Sequence, residues 1–181
     1  DEVERADEDV ERIVRELRRV LEENRRHVKE SVERLERLVR KSKKDSKKIM
    51  EDLKRVLDRG LDEESVKKLR DDARKELEKH REELRRIEEE AEKDNRRNEE
   101  HVRRLEKRVE EELRRLETEI GDDTELRKIL KKMKDAIREI KRTLDESHRE
   151  HRRVVEEVKE ELERNHKELK EVIDKVAKDL E

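Results

Sequence analysis

The stretch LDESHREHRRVV, residues 144–155, sets His148 and His151 three residues apart on what is otherwise a leucine and valine stripe. Two imidazoles in that relation are able to share a zinc ion, relay protons, or sit in a buried hydrogen-bonded layer. Zinc needs a third ligand, and His27 is the candidate. The side chains expected around it are the amides and hydroxyls of Asn24, Asn95, Asn98 and Ser147, which are poor zinc ligands. Glu163-x-x-His166 imitates half of a di-iron bundle motif, but Glu163 points off the stripe and no second copy follows. No metal ligand is therefore assigned. Catalysis fares no better. Serines share levels with histidines, yet no acidic orienter or oxyanion hole accompanies them. No catalytic residue, cofactor site or small-molecule substrate is expected, and the chain does not read as an enzyme.

Composition removes other classes. The chain has no Cys, hence no disulfide, thiolate nucleophile or thiolate metal site. It has no aromatic residue, hence no platform for stacking bases. A formal net charge of −3 gives no general electrostatic attraction to nucleic acid or anionic membranes. The basic run RKSKKDSKK, residues 40–48, reads as a solvated helix surface, because Ser42 and Ser46 fall on the stripe while the lysines fan over the remaining faces. No apolar run approaches the roughly 18 residues needed to span a bilayer, and no signal peptide is visible, so a soluble protein is expected. Charged residues make up 61% of the chain, a proportion that often means disorder. Here both signs alternate closely and Leu, Ile and Val recur at helical spacing, which argues for long helices instead.

The two glycines divide those helices. In LDRGLDEES, Gly60 is placed to close a helix with a left-handed residue, and Asp62 to cap the next one. In EIGDDTEL, Gly121 repeats the device, with Asp122 and Glu125 at capping-box spacing. Connections this short make neighbours antiparallel. The expected fold is all-α, an up-down-up three-helix bundle of long, nearly straight antiparallel helices. It forms a single elongated body over 1–181, with helices near 2–59, 62–119 and 123–180. Each would be on the order of 85 Å long.

The stripe positions Val3, Leu21, Val39 and Leu57 return to one face about every 18 residues, a period of about 3.6 that needs no supercoil. Comparable stripes run from Val66 to Ile120 and from Leu126 to Leu180. Each covers about a third of its helix, which suits a monomer. Apolar doublets on the first and third helices are also compatible with a homo-oligomer. No partner is required.

Counting about 100° per residue places Asn24, Ser31, Ser42 and Ser46 within the first stripe. His80, Asn95 and Asn98 fall within the second, and His148, His151 and His166 on or beside the centre of the third. His27 stands at a boundary, and His101 and Thr143 are further boundary candidates. Folded about the glycines, Asn24 and His27 come level with Asn95, Asn98, Ser147, His148 and His151. Ser42 and Ser46 come level with His80, Asn165 and His166. Chance would scatter these residues, whereas they gather at two levels roughly 25 Å apart.

Equal thirds, Gly-containing short loops, charge-saturated surfaces and so restricted an alphabet resemble de novo designed helical bundles. Some members of that class carry buried networks of Asn, Ser and His, and in some of them His protonation opens the bundle at low pH. The resemblance implies a structural scaffold whose two His-containing layers respond to acid. Each tenfold loss of proton affinity on burial is worth about 1.4 kcal/mol. A few such imidazoles would rival the 5–15 kcal/mol typical of a domain. A static scaffold or assembly building block, whose polar layers only specify topology and register, stands beside it as the alternative.

Overall fold

The computed structural model of the chain describes the backbone of residues 2–120 and 124–179, and their side chains apart from those of 2, 3, 116, 119 and 120. Three α-helices account for nearly all of it: α1 (Glu2–Arg59), α2 (Glu63–Ile120) and α3 (Thr124–Lys178). The protein is an all-α three-helix bundle. The side chains of Val3 and Ile120, together with Gly121, Asp122 and Leu180, lie outside the described residues.

Local chemistry explains where the helices start and stop. Glu, Lys, Arg and Leu are strong helix formers, and no proline interrupts them. Gly60 closes α1 with φ of 102°, a left-handed conformation that strains any residue with a Cβ, although the space around it is open. Asp62 then caps α2, accepting a hydrogen bond from the Ser65 backbone N–H at 2.7 Å. Hydrogen bonding from the Ser65 side chain, and then from its backbone, holds the Asp62 carboxyl below its ordinary pKa. Glu63 and Glu64 follow in the first turn, and Lys175 and Lys178 lie in the last turn of α3, each matching the sign of the helix dipole.

The chain divides into two compact units, one of Asp1–Lys29 with Ala91–Glu150 and one of Glu30–Glu90 with His151–Glu181. Each draws on all three helices. In the first unit, Glu16 pairs with Arg108 and His27 with Asp94, so α1 and α2 run antiparallel there. Its core is one cluster in which Leu17, Val20, Val102, Leu105 and Leu126 are almost fully buried. Each such side chain contributes about 1.5–3 kcal/mol relative to exposure.

In the second unit, Arg34 reaches Glu83 and Glu90 while Asp45 reaches His80, again an antiparallel pairing. Here the core is broken in two. Leu35, Leu38, Leu84, Ile87 and Leu162 form one cluster, and Ile49, Leu53, Leu69 and Ile173 belong to the other. Along the helices the break contains Ser42 and Asp45 on α1, Glu76 and His80 on α2, and Asn165 and His166 on α3. The interruption positions the candidate site. No helix among the described residues is long and apolar enough to cross a membrane.

Candidate functional site

The first unit holds the residues grouped around Asn24. Asn24 Nδ2 donates to Ser147 Oγ at 3.0 Å, joining α1 to α3. Their separation of 123 residues is close to the offset that pivoting about the glycines implies. Asn98 is 6% exposed, and its Nδ2 has no hydrogen-bond partner among the described residues. Asn95 turns along its own helix and donates to Glu99 at 3.3 Å. The two half-buried histidines face carboxylates: His27 Nδ1 lies 3.5 Å from Asp94, and His148 Nε2 lies 3.5 Å from Glu92. The buried His27 Nδ1 makes no aligned hydrogen bond. His101 is exposed, and Thr143 donates its hydroxyl to the Glu139 carbonyl of its own helix at 2.9 Å.

The second unit holds the two most deeply buried imidazoles. His151, 4% exposed, meets Ser31 Oγ through Nε2 at 2.6 Å. His80 is 5% exposed, and its Nε2 lies 3.0 Å from Asp45 Oδ2 and 3.8 Å from Glu76 Oε2. Ser42 is buried, while Ser46 and Asn165 are half-buried. Asn165 Nδ2 has no hydrogen-bond partner among the described residues. His166 is half-buried.

Burial sets the electrostatics of this unit. It is the main cause pushing His80 below its ordinary pKa; Asp45 opposes that shift, and Lys41 and Lys79 add to it. Burial is also the main cause lowering His166, with Glu163 opposing and Arg81 and Lys170 reinforcing. Glu76 moves the other way. Its carboxyl is raised first by burial and then by a hydrogen bond and like-charge repulsion from Asp45. Asp45, Glu76 and His80 thus form a compact set of two half-buried carboxyl groups and one buried imidazole.

Sequence reasoning assigned His80 to serines and an asparagine and missed Asp45 and Glu76. Both are half-buried, and both are partners of the imidazole. One signal was available: Asp45 sits between Ser42 and Ser46 on the same helix, one residue from the stripe. An acidic side chain there is long enough to turn inward.

No protein-family model matches the chain, and no curated protein matches it. Among solved structures, one described as a computationally designed three helix bundle is similar over 97% of this chain and 88% of its own, with a TM-score of 0.44 and 20% sequence identity.

Proposed function

We propose that this chain is a designed structural scaffold whose buried histidines make it less stable in acid. Its design origin is supported by helices of near-equal length, the restricted alphabet and the glycine and aspartate signals between α1 and α2. The scaffold reading requires no partner, cofactor, substrate or nucleic acid, and it treats the chain as a non-enzymatic monomer. Ser31 and His151 are close enough for a nucleophile and its base, but both belong to a packed helix interface rather than a substrate cleft.

The observation that carries the acid response is His80, buried to 5% with its charged form disfavoured. Lys41 and Asp45 approach it from α1, Glu76 and Lys79 from its own helix, and α3 places Glu163 on the adjoining Arg81. His166 responds in the same direction among Glu163, Lys170 and Arg81, with Lys43 of α1 pairing nearby with Glu161 on α3. For both imidazoles the unfolded chain takes up a proton more readily than the folded one. Their contribution is therefore intact above the unfolded value near 6.5 and is lost as pH falls from there towards the lowered folded values. Glu76 works against this: its raised carboxyl gains stability as pH falls through its folded value towards the ordinary 4.5.

Chemical denaturation followed by helical circular dichroism at pH 7.5 and 4.5 tests the reading. A lower midpoint at pH 4.5 is expected. Equal midpoints would leave the static scaffold, which the uncharged Asn24–Ser147 bond already favours for the first unit.

A further inference from the structure

We propose that Asp45, Glu76 and His80 form a binding site for a divalent transition-metal ion of the zinc class. One ligand atom from each lies within 4.8 Å of the other two. His80 Nε2 is the hub, 3.0 Å from Asp45 Oδ2 and 3.8 Å from Glu76 Oε2. A tetrahedral zinc ion with bonds of about 2.0–2.2 Å spaces its ligands about 3.3–3.6 Å apart. The measured separations straddle that range, so small rotations of two side chains bring three ligands onto one centre.

The scaffold fixes these atoms better than a surface carboxylate cluster would. Glu76 and His80 are four residues apart on α2 and so share one face. Asp45 arrives from α1. His80 is held by burial, with only 6% of its side chain exposed, against 24% for Asp45 and 34% for Glu76. The buried imidazole is thus the rigid ligand and the carboxylates the adjustable ones. Solvent reaches the set through a groove lined by Asp45, Asp72, Glu76 and Lys79, which leaves the fourth coordination position to water.

Charge supplies an independent argument. Two carboxyl groups crowd one imidazole across the α1–α2 seam, so their negative charges repel. A divalent cation relieves the repulsion more fully than a single proton does. The ion would take one oxygen each from Asp45 and Glu76 and the His80 Nε2 lone pair, with the imidazole proton on Nδ1 and any proton displaced from the ligands leaving to solvent. Lys41 and Lys79 lie close enough to oppose the cation, so micromolar rather than nanomolar affinity is expected.

The full chain, stripped of metal at pH 7.5, is titrated with zinc chloride by calorimetry and followed by thermal melting. One equivalent should bind and raise the melting temperature. Nitrogen NMR should show His80 Nε2, and no other imidazole nitrogen, changing to the metal-bound form. Glu76→Gln and Asp45→Asn should each weaken binding at least tenfold while the metal-free variants melt no earlier than the parent by more than a few degrees. His80→Gln should abolish it; if that variant does not fold, the two carboxamide variants decide. Absence of saturable binding overturns the proposal. So does binding that survives Glu76→Gln and Asp45→Asn, or that shifts His148 and His151 instead. The acid response is measured on metal-free protein, so either idea fails without the other.

Discussion

The two units bury polar side chains in different chemical company. In the first, half-buried Asn24 and Ser147 join as neutral partners, half-buried His27 and His148 stand beside Asp94 and Glu92, and buried Asn98 leaves a donor unmatched among the described residues. In the second, an imidazole buried to 5% faces two carboxyl groups, and another meets a serine hydroxyl. A neutral amide costs desolvation but has no proton to exchange, so it fixes register at every pH. A buried imidazole changes charge on the acid side of its ordinary value near 6.5, and so ties stability to the solution. One helical framework therefore contains a neutral Asn–Ser bond in one unit and, in the other, imidazoles that burial makes harder to protonate.

Core truncation gives the scale for judging both layers and carries the largest expected effect. Leu105 in the first unit is 1% exposed and Leu35 in the second is 0% exposed. Either one changed to Ala should cost about 2–5 kcal/mol, read from the denaturation midpoint. If the broken core of the second unit relaxes more easily around a void, Leu35→Ala falls at the lower end of that range. Equal costs would mean that the polar break does not loosen its apolar neighbours.

The pH dependence comes next. His80→Gln and His166→Gln should each shrink the drop in midpoint between pH 7.5 and 4.5, because burial lowers both imidazoles and each loses stability on the acid side of about 6.5. His101→Gln, at an exposed position of the first unit, should leave the drop unchanged. A first-unit substitution with the larger effect would invert the comparison.

Asn98→Leu sharpens it from the other side. Asn98 Nδ2 is buried without a hydrogen-bond partner among the described residues. Replacing the amide should stabilise the protein by about 1–2 kcal/mol at every pH, since a buried unmatched donor costs about 1–3 kcal/mol. Ser31→Ala in the second unit should destabilise by about 1 kcal/mol, because it removes a 2.6 Å hydrogen bond from His151. Opposite signs at the two positions would show that one layer is under-satisfied and the other well matched.

Much of this was legible in the sequence, for reasons that are local. Gly60 and Asp62 announce a helix end and a helix start through backbone requirements that involve only a few neighbouring residues. The stripe locates Leu17, Leu35 and Leu162 in the core because a helix of this composition has one apolar face to bury. Asn24 and Ser147 were brought level by counting alone. The carboxylate partners were not legible. Hydropathy assigns every Asp and Glu to water, whereas Asp45 turns inward because His80 offers a nitrogen it can reach across the α1–α2 seam. The stripe does separate His151, at its centre and buried, from His148 on its shoulder and half-buried, but not their partners: about 60° around the helix decides whether the ring meets Ser31 or Glu92.

The smallest expected effects belong to the charged surface, and Arg81 separates its two roles. Its guanidinium bonds Glu163 on α3 through Nε at 2.8 Å and Nη2 at 2.6 Å, a two-pronged contact, with Glu78 as a further partner at 2.8 Å. Both Arg81 and Glu163 are about two-fifths exposed, so solvent screening should hold the pair to below about 1 kcal/mol in a double-mutant cycle, and less in high salt. Lys141 and Glu106, the comparable α2–α3 pair in the first unit, should give a similarly small coupling. Arg81 has a second effect. Its positive charge helps to keep His166 unprotonated, so Arg81→Gln should raise the folded-state pKa of His166 towards the unfolded value. The sign is then fixed: the two states differ less in proton affinity, and the acid loss assigned to His166 becomes smaller. NMR titration of the His166 ring checks this directly. A His166 transition that ignores the loss of Arg81 would show that the Arg81 charge has no part in setting it.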